Sequence, residues 1–270
     1  MKKIFLILIA IFTISCEDVV DIPLETAEPR LVVEADILWK KGTIGNDQQI
    51  KLTLTTGFYE TVIPPANGAT VQLITSNNDF YNFIEDGNSG IYKCNDFEPI
   101  IGETYTLNIV YQGQIYRATE KLLPTPTIEF VEQEIVNGFG GYVTQLTFFY
   151  QDNPNETNYY LQKVESNVLT RPDLFANRDE FFNGNLMFEV FRNEDLVTGS
   201  IVKFTLISIT ERDFTFMRQF TALAGVGGGS PFNPPSGILR GNVKNVTNEN
   251  KFPLGYFRLS ELDDETYVVE

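Results

Sequence analysis

The sequence contains no histidine, and this absence restricts its chemistry more than any other feature. Ser-His-Asp and Cys-His catalysis are excluded, as are the usual histidine-ligated zinc and non-haem iron sites. An enzyme built from this chain would have to use carboxylates, lysine, tyrosine or a Ser-Lys pair. Glycosidase-like carboxylate pairs and sites for hard cations are the chemistries that remain.

Cysteine and positive charge are also scarce. The 20 Lys and Arg residues are outnumbered by 36 Asp and Glu residues, giving a formal net charge of −16. This excess repels phosphate backbones and anionic lipid headgroups, so nucleic acid is not expected as a partner. The two cysteines are Cys16 and Cys94. If Cys16 is modified, no intrachain disulfide can form, and strand alternation predicts that Cys94 is a small core residue.

The N-terminal residues predict a bacterial lipoprotein signal. Two lysines precede an apolar run at residues 4–12, which is too short to cross a hydrocarbon core of ~30 Å. The small residue Ser15 then precedes Cys16. We interpret residues 1–15 as a signal peptide, Cys16 as the acylated first residue of the mature chain, and the acidic, proline-containing residues 16–29 as a tether.

One alternative to this interpretation remains open. Thr13 stands where the usual lipobox has leucine, so the segment could be an ordinary secretory signal with an unmodified Cys16.

The acidic residues Glu17, Asp18 and Asp21 are similar to surface-export signals of some Gram-negative lipoproteins. We therefore expect an outer-membrane lipoprotein exposed at the cell surface, with the periplasmic face as the alternative.

Residues 30–122 show strand patterns and no helical period. Apolar and polar residues alternate in several short windows, and Gln112-Gly113 can form a hairpin turn. We predict an immunoglobulin-like or transthyretin-like β-sandwich domain here. The strand windows are residues 31–33, 48–55, 71–73, 80–84, 104–111 and 114–120.

Two prolines in residues 123–127 predict a linker, and residues 128–270 then form a second β-rich domain. One amphipathic helix is expected near residues 211–224, with Thr210 as its cap and Asp213 at the reciprocal capping position. The glycine-rich segment that follows is interpreted as a loop, because its glycines follow a helix instead of opening one. The strand windows of this half are residues 142–151, 158–168, 186–191 and 201–209.

Few residues suggest a specific site. Asp179, Glu180 and Asn183 could supply part of a calcium site, but a turn explains them equally well. The acidic residues 263–265 are interpreted as a solvated turn. Phe232 lies among prolines after the glycine-rich loop and is our candidate for an exposed contact residue. We assign no catalytic residue, metal site or cofactor.

Adjacent aromatic residues are a further candidate for binding. Side chains of neighbouring strand residues point to opposite faces, so one member of each pair can leave the core and line an interface. Burial within the two layers of a sandwich is the simpler explanation for most of them. The candidates are Phe148-Phe149-Tyr150, Tyr159-Tyr160, Phe181-Phe182 and Trp39.

Short elements spread over nearly the whole chain together resemble the lipoprotein family catalogued as domain of unknown function 4249. In the first half they follow Cys16 and are Leu31-Val32-Val33-Glu34, Gly68-Ala69-Thr70-Val71, Gly90-Ile91-Tyr92 and Gly102-Glu103-Thr104-Tyr105. In the second half they are Asn158-Tyr159-Tyr160, residues 179–184, residues 231–235, Gly241-Asn242-Val243 and Gly255-Tyr256-Phe257. Ala35 stands where the family usually has glycine.

The resemblance implies an accessory lipoprotein of a TonB-dependent outer-membrane transporter, and it implies no catalytic residues. The leading hypothesis is therefore a non-enzymatic protein, anchored through Cys16, that binds a nutrient ligand or holds the transporter assembly together. The alternatives are a carboxylate-based glycan hydrolase and a purely structural envelope lipoprotein.

Overall fold

The computed structural model describes residues 27–138, 140–224 and 237–270. These residues form fifteen strands, one α-helix, α1 (Glu211–Leu223), and a short 3-10 helix (Glu249–Lys251). In chain order the strands are β1 Leu31–Lys40, β2 Gln48–Leu54, β3 Thr70–Thr75, β4 Phe80–Glu85, β5 Ile91–Cys94, β6 Thr104–Tyr111, β7 Gln114–Lys121, β8 Ile128–Asn137, β9 Tyr142–Gln151, β10 Tyr159–Ser166, β11 Asp173–Arg178, β12 Leu186–Asn193, β13 Ile201–Ile209, β14 Lys244–Asn245 and β15 Leu254–Val268.

The strands belong to two sheets. Twelve strands form one sheet in the order β11-β10-β13-β15-β1-β2-β5-β4-β3-β6-β7-β14, and three form a second in the order β12-β9-β8. The long strand β15 connects the two halves of the large sheet. Its first part pairs parallel with β1, from Val32↔Leu254 to Lys40↔Leu262, and its second part pairs antiparallel with β13, from Ile207↔Leu262 to Ile201↔Val268.

Three clusters of buried apolar side chains hold these layers together. The first collects side chains of the early strands, together with Phe257 and Leu259 of β15. The second lies between the two sheets, where Phe148 of β9 meets Phe204 of β13 at 4.9 Å between ring centroids. The third lies on the opposite face of β10 and β13, under α1. These two strands are therefore covered on both faces, which explains why β13 is buried along most of its length.

The mainly β fold with one amphipathic helix is confirmed. The predicted windows at residues 104–111, 142–151 and 201–209 coincide with β6, β9 and β13. Thr210 caps α1, since its side-chain oxygen accepts a hydrogen bond from the Asp213 backbone N–H at 3.2 Å. The Asp213 carboxylate, however, does not serve as the reciprocal cap but binds Arg258.

Some elements were missed or misassigned. β8, β11 and β15 had no predicted counterpart, and the interpretation of residues 263–265 as a solvated turn is wrong. These residues lie inside β15, where the carboxylate of Asp264 is nearly buried and binds Lys40 and Lys203 from the two neighbouring strands. The acidic run is accommodated because the neighbours supply its counter-charges.

Several of the predicted segments lie outside the part of the chain that the structure describes. Residues 1–26, including Cys16, and residues 225–236, including Phe232, lie outside the described residues. The division into residues 30–122 and 128–270 stays a prediction. Thr125, in the predicted linker, packs against the second half, because its hydroxyl donates to the Glu261 carbonyl at 2.7 Å and accepts from the Ser208 N–H at 2.9 Å.

Candidate functional site

An open groove of about 400 Å³ lies between α1 and the large sheet, and we call it the helix-side groove. Its volume falls within the range of small-molecule sites. The floor comes from β1, β10, β13 and β15, and the wall comes from α1 and the start of β11. Most of its lining is apolar: Leu38, Leu161, Leu174, Ile207, Phe216, Met217, Phe220 and Tyr256.

The position of α1 creates this groove. Phe214 and Met217 are buried against β10 and β13 in the third cluster. Phe216, on an adjacent face of the helix, packs on Tyr256 of β15 with 4.7 Å between ring centroids. The helix thus covers β10 and β13 while the neighbouring surface of β1 stays open, and the uncovered strip becomes the groove.

Two of the family-like elements fix the strand beneath it. A side chain on Gly255 would collide with the backbone of Val33, so glycine allows β15 to start its parallel pairing with β1. The side chain of Asn242 then binds the backbone of Phe257, donating to its carbonyl at 2.6 Å and accepting from its N–H at 2.8 Å. The side-chain amide thus makes the two backbone hydrogen bonds that a neighbouring strand would otherwise make with Phe257. A side chain on Gly241 would collide with the Gly255 carbonyl, so glycine is needed here for the segment that carries Asn242 to lie against β15.

A buried ion pair lies below one end of the groove. The Arg258 guanidinium donates from Nε and Nη2 to both carboxylate oxygens of Asp213, at 2.5 and 2.9 Å, and from Nη1 to Asp36 at 2.8 Å. Arg258 is 7% exposed and Asp213 is 2% exposed. Burial raises the pKa of Asp213, and the hydrogen bonds from Arg258 oppose that rise. This pair attaches the first turn of α1 to β15 and β1.

Two further polar groups lie close to this ion pair. Burial raises the pKa of Glu120, although Asn242 donates to its carboxylate at 2.6 Å. The buried hydroxyl of Tyr256 has no hydrogen-bond partner among the described residues. It belongs to a cavity of about 10 Å³ that Glu120, Thr210 and Asp213 also line. A space of this size can hold about one water molecule.

The charged groups at the rim of the groove have partners within the chain. Asp36 binds Arg258, Glu34 pairs with Lys51 at 2.9 Å, and Lys163 pairs with Glu165 at 2.8 Å. The Glu34–Lys51 and Lys163–Glu165 pairs are accessible to solvent and therefore weak. The distinctive property of the groove is therefore its apolar lining, which suits the apolar part of a ligand.

A second surface, the aromatic ridge, lies on the outer face of the three-stranded sheet. It consists of Phe130 on β8, Phe149 on β9, Phe188 on β12 and Phe182 in the turn before β12. The first three are direct cross-strand neighbours, with Phe149 opposite both Phe130 and Phe188. Their ring centroids are 4.6 and 6.0 Å apart, and Phe182 lies 6.4 Å from Phe188.

The ridge is exposed although it is apolar. Phe130, Phe182 and Phe188 keep 42%, 44% and 48% of their surface accessible. The planes of Phe130 and Phe149 differ by only 23°, so the two rings turn their faces towards each other.

The surroundings of the ridge are acidic and ordered. Glu132 and Glu134 are exposed and share the outer face of β8 with Phe130. Gln145 of β9 donates to Glu134 at 3.3 Å and accepts from Arg192 of β12 at 2.6 Å. These contacts form a polar row that runs parallel to the aromatic one.

The structure divides the predicted aromatic candidates. Phe148, Tyr150 and Tyr160 are buried in the second cluster, whereas Phe149 belongs to the ridge. Trp39 packs against the first cluster, and its indole N–H donates to the Thr43 carbonyl at 2.8 Å. The remaining ridge residues, Phe130 and Phe188, were not singled out from the sequence. Alternation within their strands was the available signal, but only the register of the sheet aligns them.

The other predicted candidates have structural roles. The Asp179 carboxylate accepts from the Asn158 N–H at 2.7 Å, and Glu180 pairs with Arg178, so residues 179–184 form a hydrogen-bonded turn. Among the described residues, no group of three or more acidic or cysteine side chains is arranged to hold a metal ion. Cys94 is buried as predicted, and burial raises its thiol pKa to about 11.

The sequence matches one known family model over most of its length. The model of the family "Domain of unknown function (DUF4249)" matches residues 17–265. The chain belongs to this family. No curated protein matches the DUF4249 chain by sequence.

Solved structures resemble this DUF4249 chain only remotely. A two-domain fibronectin type III segment of chicken tenascin is 10% identical, covers 68% of this chain and 92% of its own, and has a TM-score of 0.23. A cytokine receptor complex is 10% identical, with 66% and 82% covered and a TM-score of 0.24. A DUF4785 family protein from Legionella pneumophila is 11% identical, with 68% and 53% covered and a TM-score of 0.25. Likenesses this low say nothing about ligands or partners.

Membrane attachment is a separate question from the fold. In the part of the chain that the structure describes, no helix has the length and apolar character needed to cross a membrane.

Proposed function

We propose that this protein is a lipid-anchored outer-membrane protein, exposed at the cell surface, that acts by binding. Its role is that of a non-enzymatic accessory of a TonB-dependent nutrient transporter, capturing a ligand or scaffolding the assembly. The aromatic ridge carries the proposal, because it places a row of exposed phenylalanines on a sheet face that would otherwise be polar.

The chemistry of the ridge fits a protein partner. Aromatic side chains are enriched at the centres of protein interfaces, and contiguous exposed apolar surface on a soluble domain marks interaction sites. The acidic side chains of Glu132 and Glu134 beside the ridge would form the polar rim of such an interface.

The helix-side groove supports the ligand-capturing part of the proposal. Its apolar lining can hold a small ligand without a chemical step. The carboxylates that line it, Glu34 and Asp36, lie on the same strand and pair with Lys51 and Arg258 instead of facing each other across open space. That arrangement supports binding over carboxylate-based hydrolysis, which needs one acid on each side of the scissile bond.

The anchor is tested by replacing Cys16 with Ala and following incorporation of a palmitate analogue in cells. The wild-type chain should be labelled and the Cys16→Ala chain should not, because the cysteine carries the acyl chains. Equal labelling of both chains would remove the anchor from the proposal.

The partner is tested by purifying the C-terminally tagged, full-length chain from outer membranes in mild detergent. We expect a TonB-dependent transporter to co-purify with the wild type and to be lost with Phe188→Ser. The matched control is Phe80→Ser on β4, which is 62% exposed and lies in the large sheet instead of the three-stranded sheet that carries the ridge. Thermal unfolding of both variants verifies that they are folded. Equal recovery of the transporter with both variants would contradict the role of the ridge.

A further inference from the structure

The loop that follows β2, residues 55–64, exposes a concentrated set of apolar side chains. We call it the β2–β3 apolar loop. Phe58 and Tyr59 are 85% and 74% exposed, and Val62 and Ile63 are 73% and 61% exposed. The two rings lie against each other, with 5.3 Å between centroids in an edge-to-face arrangement. Surface loops are normally polar, so four such residues within six positions require an explanation.

The base of this loop is firmly attached to the sheet. The Leu54 N–H donates to the Pro64 carbonyl at 2.9 Å, which closes the loop where it leaves and returns. The neighbouring Thr55 binds Arg30 twice at 2.9 Å, through its own N–H and through its hydroxyl, which accepts from the Arg30 N–H. The apolar side chains therefore project from a loop whose base is held by hydrogen bonds beside Arg30.

Arg30 also marks the point where the chain arrives from its N-terminal segment. Ten residues, 17–26, separate Cys16 from the first described residue, Ala27. Ten residues can span at most about 35 Å, whatever their conformation. An acylated Cys16 would thus hold the end of the molecule that carries the loop close to the membrane surface.

The charge at this end differs from that of the whole chain. The guanidinium groups of Arg30 and Arg240 lie 3.9 and 3.7 Å from the centre of the Phe252 ring, so they must occupy its two faces. Lys251 is exposed beside them. These three cations are matched in number by three acids, namely Glu28, which lies 3.7 Å from Lys251, Glu249, and Glu60, which is exposed within the loop itself. Repulsion from anionic headgroups, expected from a net charge of −16, is therefore weak at this end.

We propose that the β2–β3 apolar loop inserts Phe58, Tyr59, Val62 and Ile63 into the lipid surface to which the chain is tethered. The inserted side chains form a second, non-covalent membrane contact, at the depth where aromatic rings partition between headgroups and acyl chains. This contact orients the protein on the membrane, because it adds a second point of attachment to the acylated Cys16. The inference rests on the proposed lipid anchor.

The test uses the full-length acylated chain with Tyr59→Cys, labelled with an environment-sensitive fluorophore and reconstituted into vesicles of phosphatidylethanolamine with a minor fraction of phosphatidylglycerol. Nitroxide groups on the acyl chains then quench any label that enters the bilayer. The native Cys94 does not compete for label, because it is 4% exposed and its pKa is raised to about 11. The matched control is Ile44→Cys, which is 79% exposed and follows the opposite end of β1.

We expect roughly threefold stronger quenching at position 59 than at position 44, since only the loop should reach the acyl region. Adding Phe58→Ser and Val62→Ser should reduce the quenching at 59 to the level at 44. Equal quenching at both positions would overturn the proposal. So would shielding of position 59 that needs added transporter, or that rises with protein concentration, because the occupant would then be a protein.

The anchor and the loop can fail separately in this experiment. The intact mass of the purified chain reports acylation directly. An acylated chain without quenching at 59 refutes the loop contact and leaves the anchor in place. A chain without acyl mass whose label at 59 is still quenched refutes the anchor and keeps the loop contact, and loss of both refutes both.

Discussion

The buried ion pair between Arg258 and Asp213 predicts a large loss of stability when one partner is removed. Asp213→Ala deletes two charge-assisted hydrogen bonds, at 2.5 and 2.9 Å, each contributing about 1.5–3 kcal/mol. The guanidinium, 7% exposed, would keep only Asp36 as a counter-charge. We expect the free energy of unfolding to fall by about 3–5 kcal/mol, because the buried guanidinium loses its buried counter-charge and keeps only the half-exposed Asp36. For a chain of this size that loss lowers Tm by about 6–20 °C.

Chemical denaturation followed by far-UV circular dichroism measures this loss. Asp36→Asn is the matched control, because the Asp36 side chain is 53% exposed and its pair with Arg258 should contribute less than about 1 kcal/mol. The double variant Asp213→Ala with Arg258→Met should be less destabilised than Asp213→Ala alone, since it removes both charges. A loss below about 1 kcal/mol for Asp213→Ala would refute the view that this pair attaches α1 to the sheet.

Three further results are expected. Asn242→Ala should lower the free energy of unfolding by about 2–4 kcal/mol in chemical denaturation, because it leaves the buried N–H and carbonyl of Phe257 without partners. Ellman's reagent should modify Cys94 at least about a hundredfold more slowly in the folded than in the unfolded chain, since burial raises the thiol pKa to about 11. Burial alone would raise the pKa of Asp264, but Lys203 and Lys40 hold it below its usual value. Its stabilising effect is therefore present above about pH 4 and is lost as the pH falls further, so Asp264→Asn should flatten the acid side of the stability profile.

Local patterns predicted the strands whose two faces differ. The window at residues 104–111 alternates because one face of β6 enters the first cluster, and the hairpin to β7 follows from the turn between them. The helix was equally visible, because Thr210 can cap it and its apolar positions recur with helical spacing. In each case the signal lies within a few residues of the element that it predicts.

The elements that were missed depend on distant partners. The acidic residues of β15 looked like a turn because their counter-charges, Lys40 and Lys203, lie on other strands. The reciprocal-cap prediction for Asp213 failed for the same reason, since its partner Arg258 is 45 residues away. Neither pairing leaves a trace in local sequence.

The candidate surfaces also combine features that local sequence predicts with features that depend on distant strands. Alternation predicts that one of Phe148 and Phe149 points away from the core, and Phe149 does. It cannot predict that Phe130 and Phe188, which are 58 positions apart, will stand on either side of Phe149. The ridge exists only in the register of three strands. The groove likewise depends on where α1 lies across the sheet.

The strand β15 gives these separate features a common basis. Its residues 254–262 pair with β1, and its residues 262–268 pair with β13. Along that length it carries the glycine that allows parallel pairing, the arginine that holds α1 and the aspartate that binds two lysines. Neither half of the large sheet is complete without this strand. The strand thereby joins β1 to β13, so the strands that form the floor of the helix-side groove belong to one continuous sheet.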